Sequence, residues 1–202
     1  MGKQNKKPVT FAFIDATNII YGAGGAGWKV DFKKLIQYLI NRFNVTRILY
    51  YAGIDQTNQK QLNFYKKLGS FGYELRLVPV KTFSNGRKKA DVDSKMTFEI
   101  MLLLNKYNSA ILMTGDGDFY WVFEHLLKIK KQVKLFAHRS STAKELKQLF
   151  GVNFTDLKFI KNIIERRQKN GTDSKIVSVP RDYARSVSKV NNYVKSKKCL
   201  TV

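Results

Sequence analysis

Strand-like segments alternate with helix-like segments along most of this chain, and this alternation limits the fold more than any other feature. Five segments have the composition of buried strands: VTFAFID (9–15), TRILYYAG (46–53), YELRLVPV (73–80), SAILMTG (109–115) and QVKLFAH (132–138). Five others carry apolar residues at helical spacing: 31–43, 58–72, 90–108, 119–131 and 142–150. Parallel strands need long crossover connections, so we predict an α/β fold with helices on both faces of a mainly parallel sheet.

The chain is strongly basic. Its 202 residues include 37 Lys and Arg against 15 Asp and Glu, a formal net charge of +22. Such an excess favours a polyanionic partner, and nucleic acid is favoured over a membrane because the basic residues are spread along the whole length. No apolar run approaches the roughly 20 residues of a membrane span, and the first apolar stretch is too short for a signal peptide. We therefore expect a cytoplasmic protein.

Sulfur and imidazole ligands for a metal ion are scarce. The chain has one cysteine, Cys199, and two histidines, His125 and His138. A zinc site built from Cys and His needs about four such ligands. A metal site in this chain would therefore have to use carboxylates.

Acidic residues follow two of the predicted strands. Asp15 ends the first strand, and the segment TGDGDF places Asp116 and Asp118 directly after the fourth. The carboxyl ends of parallel strands meet at one edge of a sheet, so we expect these three side chains to converge there. Asp93, at the start of the helix after the third strand, can approach from the side. The pattern predicts an acidic pit in a basic surface.

A pit of this kind needs a proton or a cation. Two carboxylates about 4 Å apart repel by ~4 kcal/mol at an effective dielectric constant near 20. Mg²⁺ or Mn²⁺ suits all-oxygen ligation and accepts phosphate oxygens as further ligands. An acidic pit inside a basic surface therefore predicts a site that cleaves phosphodiester bonds.

Each of these acids also has an ordinary structural explanation. Asp15 could cap a turn, Asp116 could form an Asx-turn, and Asp118 could be the N-cap of the helix that follows. Acids at a helix start, such as Asp91 and Asp93, are favoured by the helix dipole. These alternatives stay open from the sequence.

Three motifs, FIDATN, KADVDSKMTFEIM and TGDGDF, occur in this order after their strands. Together they resemble the NYN domain family, in particular its LabA-like branch, whose members are relatives of PIN-domain nucleases. The resemblance covers roughly residues 9–160. It implies a Rossmann-like three-layer α/β/α sandwich and metal-dependent ribonuclease activity that leaves a 5′-phosphate and a 3′-hydroxyl. With it we divide the chain into a basic leader (1–8), an NYN domain (9–165) and a basic C-terminal extension (166–202).

The resemblance also implies roles for individual acids. The catalytic and metal-binding residues would be Asp15, Asp93, Asp116 and Asp118, holding one or two Mg²⁺ or Mn²⁺ ions. Asp91 and Glu99 are possible additional acids, although Glu99 stands where a shorter acid is usual. Ala16 departs from the glycine that is frequent at its position.

Residues that bind the substrate are predicted around the same edge. Asn18 accompanies the first acid in the family. Phosphate contacts are expected from a basic loop that leads into the helix of Asp93, namely from Lys81, Arg87, Lys88 and Lys89. GAGGAG (22–27) lacks the Lys and Ser/Thr of a P-loop, so we interpret it as a mobile loop at the mouth of the site. Tyr21 and Trp28 flank it and are expected to stack on unpaired bases.

Two other functions compete with the nuclease. A haloacid-dehalogenase-like phosphatase would need a second acid two residues after Asp15, where Thr17 stands instead. An RNA-binding adaptor with a metal-binding but catalytically weak site fits the same residues. The basic C-terminal extension is expected to be partly disordered. It can serve as a basic arm that binds RNA in both the ribonuclease and the adaptor hypothesis. The sequence leaves open whether the chain forms a homodimer.

Overall fold

The computed structural model describes residues 8–82 and 88–166, and for residues 82, 88 and 89 the backbone only. The strands are β1 (Thr10–Asp15), β2 (Val45–Ile54), β3 (Glu74–Pro79), β4 (Lys81–Thr82), β5 (Lys88–Lys89), β6 (Ser109–Met113), β7 (Gln132–Ala137) and β8 (Phe154–Asp156). The helices are α1 (Ala16–Gly25), α2 (Phe32–Phe43), α3 (Gln59–Phe71), α4 (Val92–Leu102), α5 (Tyr120–Lys128), α6 (Lys144–Phe150) and α7 (Lys161–Ile164). None of these helices is long and apolar enough to cross a membrane.

Six strands form one sheet in the order β3-β2-β1-β6-β7-β8, and each described pairing in it is parallel. β1 lies at its centre beside β6. Residues of β1 alternate between two cores: Ala12 and Ile14 face one, Phe11 and Phe13 the other. This alternation follows from the two-residue period of a strand covered on both faces.

The helices divide between the two faces of the sheet. The core that contains Ile14 also receives side chains from α1, α2, α3 and α7. The core that contains Phe13 receives side chains from α4, α5 and α6. The architecture is therefore a three-layer α/β/α sandwich, as predicted. β4 and β5 pair separately as a short antiparallel hairpin before α4.

The sequence missed two details of the element pattern. β8 has only three residues, too few to produce a strand signal. The predicted helix over 90–108 ends as an α-helix at Leu102 and continues into a short 3₁₀ turn, Leu104–Lys106. The leader up to residue 7 and the extension from residue 167 lie outside the described residues, so both remain predictions.

The glycine-rich segment after β1 is helical, so the mobile-loop interpretation of GAGGAG is wrong for most of it. α1 continues through Gly22 and ends only at Gly25. A Cβ at Gly22 would lie 3.0 Å from the Cβ of His138, so glycine lets α1 pack closely on the chain after β7. The spacing of the buried residues Ala16, Ile19 and Ala23 was the available signal for a helix.

Candidate active site

Asp15 is the last residue of β1 and is only 4% exposed. It is also the N-cap of α1, because its Oδ1 accepts a hydrogen bond from the backbone N–H of Asn18 at 3.2 Å. Its Oδ2 accepts a hydrogen bond from the Thr114 hydroxyl at 3.0 Å. Burial raises the pKa of Asp15, and these two hydrogen bonds oppose that rise. Asp15 therefore caps α1 and is also one of the predicted site residues.

Two polar side chains join the ends of β1 and β6. The Thr114 hydroxyl is fully buried, and besides donating to Asp15 it accepts a hydrogen bond from the Asp116 N–H at 3.2 Å. The Asn18 Oδ1 accepts a hydrogen bond from the Gly115 N–H at 2.8 Å. Asn18, predicted to bind substrate, thus has a clear positioning role. These bonds fix where the two acidic strand ends stand relative to each other.

Asp116 and Asp118 follow β6 on a short 3₁₀ turn, Gly117–Phe119. Asp116 is the N-cap of this turn and accepts a hydrogen bond from the Asp118 N–H at 3.0 Å, which is the Asx-turn role considered above. Asp118 is exposed and is not an N-cap. A Cβ at Gly117 would meet only the flexible end of the exposed Glu145 side chain, whereas a Cβ at Gly115 would lie 3.0 Å from the backbone Cα of Thr142, so Gly115 is the glycine of this segment that close packing requires.

Asp93 lies in the first turn of α4, and the exposed Asp91 is at the N-cap position without a side-chain capping bond. The pKa of Asp93 is raised to about 6. Burial is the largest cause, followed by the negative charges of Asp15, Asp116, Asp118 and Asp91. Residues that are far apart in the sequence therefore interact electrostatically at one place.

A cavity of about 360 Å³ lies at this edge of the sheet. It is lined by Asp15, Thr17, Asn18, Tyr21, Gly22, Ala90, Val92, Asp93, Asp116 and Ser141. We call Asp15, Asp93 and Asp116 the cavity acids. They come from β1, α4 and the end of β6, so the structure brings together three of the four principal acids predicted from the sequence, and Asp118 stands beside them.

The donor set of this cavity fits a hard divalent cation. Its ionisable groups are carboxylates, the ligands that Mg²⁺ and Mn²⁺ prefer, and their repulsion is what a cation would relieve. Among the described residues, no group of three or more His, Cys, Asp or Glu side chains is arranged to hold an ion unaided. An ion here would need water or substrate oxygens as additional ligands, which Mg²⁺ commonly keeps.

Glu99, predicted as a possible additional acid, is engaged elsewhere. Its carboxylate accepts hydrogen bonds from the Arg76 Nε at 2.7 Å and the Tyr51 hydroxyl at 3.0 Å, and forms an ion pair with Lys95 at 3.2 Å. It does not line the cavity. The longer acid therefore anchors α4 to β2 and β3, a contact between residues that are distant in the sequence and carry no local signal of it.

The two aromatic residues predicted to stack on bases lie in different surroundings. Tyr21 is 75% exposed and lines the cavity. Trp28 is 4% exposed and packs in the core beneath α1 and α2, so the prediction that it stacks on bases is wrong. Trp28 follows the positive-φ residue Gly27, where the chain turns inward after α1.

The predicted phosphate-binding residues are close in sequence to Ala90, Val92 and Asp93, which line the cavity. Lys81 is exposed on β4. Lys88 and Lys89 form β5, which runs into Ala90 of the cavity lining, but their side chains are not described. Arg87 lies outside the described residues. Their contacts with phosphate remain predictions.

Sequence reasoning missed Thr114 and Ser141. Thr114 directly precedes the acidic turn, and a hydroxyl at the end of a buried strand was the available signal. Ser141 lines the cavity from the segment after β7, far from every motif. A larger cavity of about 460 Å³ lies at the opposite edge of the sheet, near the first residues of β1, β6 and β7, and has no acidic residue in its lining. The acidic residues that could hold a cation therefore line the smaller cavity.

Comparison with known proteins identifies the family and the fold of the chain. The NYN domain family model matches residues 10–158. The chain is 27% identical over 165 residues to low amplitude and bright protein LabA of Synechococcus elongatus, a match that spans 78% of this chain and 88% of LabA. A crystal structure of a protein of unknown function from Vibrio parahaemolyticus has the same fold, with a TM-score of 0.69 at 22% identity over 82% of this chain and 100% of that one. The chain belongs to the NYN domain family, whose members are generally nucleases.

Proposed function

We propose that this protein is a cytoplasmic, metal-dependent ribonuclease that hydrolyses RNA phosphodiester bonds at the cavity acids. The observation that carries the proposal is the position of Asp93 in the cavity. Its carboxyl group shares a cavity with Asp15 and Asp116, and their negative charges add to the effect of burial. The described side chains supply no positive charge to pair with these acids. This favours binding of a cation from solution.

The side chains have different roles in the proposed reaction. Asp15, Asp93, Asp116 and Asp118 would hold Mg²⁺ or Mn²⁺. When bound, the ion would activate water for in-line attack and stabilise charge on the phosphate. Thr114 keeps the Asp15 carboxylate and the Asp116 backbone in fixed positions. The pKa of Asp93 is raised to about 6, so its carboxylate would be mostly ionised at neutral pH and would bind the cation less well as the pH falls through 6.

The basic surface would hold the RNA backbone. With a net charge of +22, the chain attracts a polyanion even though the site itself is acidic. Lys81, Arg87, Lys88 and Lys89 are our candidates for phosphate contacts because their segment leads into α4. A bound cation would neutralise the acidic cavity, where phosphate would otherwise meet negative charge.

The direct test is cleavage of labelled RNA by the purified full-length chain with Mg²⁺, Mn²⁺ or EDTA. We expect cleavage that needs metal and falls at least about a hundredfold in Asp116→Asn. Asp31→Asn is the matched control, because Asp31 is the N-cap of α2 outside the cavity and Asn caps helices equally well. Equal activity of the Asp116→Asn and Asp31→Asn variants would contradict the assignment of Asp116.

The second candidate is an RNA-binding adaptor with a weak or inactive site. It is favoured by the lack, among residues 8–82 and 88–166, of three acidic side chains arranged to hold an ion unaided. An adaptor would bind RNA equally in EDTA and in Mg²⁺ and would cleave it in neither. The same assay therefore separates the two functions.

A further inference from the structure

The two tryptophans of this chain differ sharply in exposure. Trp28 is 4% exposed, whereas Trp121 is 76% exposed. Tryptophan is on average a well-buried residue, so an indole that is mostly in water stands out. Trp121 lies outside the three sequence motifs, and the proposed cleavage chemistry does not use it.

Trp121 stands at the edge of the acidic site. It lies in the first turn of α5, three residues after Asp118, and the backbone between them is helical. Residues three apart in a helical run share a face, so the indole and the exposed Asp118 carboxylate point to the same side. The Tyr120 ring meets the indole at 87° with 5.3 Å between centroids, which limits its movement.

A second exposed ring stands on the other side of the same site. Tyr21 is 75% exposed and lines the cavity from α1. α1 packs on one face of the sheet and α5 on the opposite face. The cavity lies at the carboxyl edge of the sheet between these two layers, so Tyr21 approaches the cavity acids from one layer and the start of α5, which carries Trp121, approaches from the other.

We propose that Trp121 stacks on an unpaired base, and that with Tyr21 it binds nucleotides on both sides of the phosphate at the cavity. Stacking on aromatic rings requires bases that are free of a partner, since duplex bases are already stacked on one another. The substrate class is therefore single-stranded RNA. This inference rests on the proposed function for the position of the phosphate, but base stacking itself requires neither metal nor cleavage.

Charge and geometry favour nucleic acid over a protein partner at these rings. The rings flank carboxylates that would repel acidic peptides, while the net charge of +22 disfavours basic ones. A nucleic acid satisfies both features, because its phosphates meet the basic surface and its bases offer flat faces to the rings. Preordering of the indole by Tyr120 lowers the entropy cost of that contact.

Tryptophan fluorescence tests the proposal with the full-length chain in EDTA. The probes are a twelve-nucleotide single-stranded RNA, the same sequence as DNA, and the RNA as a perfect duplex. We expect single-stranded RNA to quench the solvent-exposed Trp121 emission and leave the Trp28 emission unchanged. Trp121→Phe should lose the quenching while keeping most of the affinity measured with labelled RNA, because a ring remains.

Affinity measurements supply the decisive variants. Trp121→Ala should weaken single-stranded RNA binding by about 5- to 150-fold, the range expected for one lost base stack, and Tyr21→Ala should act in the same direction. Phe159→Ala is the control, because Phe159 is 81% exposed but follows β8, the last strand in the sheet order, and does not line the cavity. Binding of the duplex should be nearly unaffected by any of the three substitutions.

The outcomes are distinct from those for the proposed function. Single-stranded binding by Trp121→Ala within twofold of the unmodified protein would overturn the stacking role, even if Asp116→Asn abolishes cleavage. An equal loss for the duplex would also overturn it, because the ring would then not be reading unpaired bases. Trp121-dependent binding without cleavage would support the stacking role and refute the ribonuclease. Equal effects on RNA and DNA would support stacking but remove RNA as the specific substrate.

Discussion

The acids of this protein fall into two groups with opposite surroundings. Glu74 and Glu99, which we call the paired acids, have arginine partners, whereas the described residues supply no ion pair to the cavity acids Asp15, Asp93 and Asp116. Both groups include an acid that is almost fully buried, Glu74 at 2% and Asp15 at 4% exposure. Burial therefore does not decide which acids are neutralised by the fold; the placement of arginine does.

The paired acids contribute to stability. Glu74 is 2% exposed and binds Arg47 through two hydrogen bonds of 2.6 Å, with a further contact to Arg76 at 3.0 Å. Glu99 binds the same Arg76 at 2.7 Å. Each carboxylate thus keeps its charge inside the protein through hydrogen-bonded partners. Among the described side chains, no cation pairs with the cavity acids, and the donors to Asp15 and Asp116 are a hydroxyl and backbone N–H groups, which leaves their charge available to a ligand.

The largest effect is expected when a paired acid is removed. Glu74→Ala leaves Arg47 and Arg76 without this partner, and because both are partly exposed we expect a loss of about 3 kcal/mol in the free energy of unfolding, the low end for a broken buried pair. Glu124→Ala, which removes a surface pair with Lys128, is the control and should cost about 0.5 kcal/mol or less. Urea denaturation measures both. Similar small losses would mean that the two groups do not differ as proposed.

The next effect concerns the hydrogen bonds that replace arginine at the cavity. Thr114→Val keeps the shape of the side chain but removes the hydroxyl that donates to Asp15 and accepts from the Asp116 N–H. We expect RNA cleavage to fall about 10- to 100-fold and the apparent Mn²⁺ affinity to fall with it, since such supporting groups orient metal ligands.

Thr114→Ser is the rescue variant, because it restores the hydroxyl without the methyl group. Its cleavage rate and Mn²⁺ dependence should approach those of the unmodified protein. If Ser and Val were equally impaired, the packing of the methyl group rather than the hydroxyl would position Asp15.

The smallest effect compares one acid from each group. In EDTA, Asp93→Asn should stabilise the protein at neutral pH, because it removes a charge repelled by Asp15 and Asp116. Glu99→Gln should destabilise it, because that carboxylate has Arg76 and Lys95 as partners. Chemical denaturation from pH 4 to pH 8 measures both variants against the unmodified protein.

The pH dependence of the free energy of unfolding gives the sign of the effect of Asp93→Asn. The pKa of Asp93 is about 6 in the folded protein and near its ordinary value of 3.8 when unfolded, so the folded state binds this proton more tightly. Its stabilising contribution is present below about pH 4 and is lost as the pH rises through about 6. The advantage of Asp93→Asn should therefore grow over that range and shrink when Mn²⁺ is added. An advantage independent of pH would remove the repulsion argument.

Much of the site could be predicted from the sequence because it depends on topology. Asp15 and Asp116 follow strands that pair in parallel, with Ile14 beside Met113, so their meeting required only the correct strand order. Asp93 followed from its place at the start of α4. The roles of Glu99 and Trp28 could not be predicted, because each depends on which side of a helix or turn packs inward against residues distant in the sequence.

The sequence by itself determined the alternating strands and helices, the basic net charge and the edge at which the acids gather, since these follow from local periodicity and the direction of parallel strands. Tertiary structure alone decided which acids meet arginine and which of the two tryptophans reaches solvent. Those outcomes depend on packing between Glu99 and Arg76, or between Trp28 and the core, and such non-local contacts leave no periodic trace in the chain.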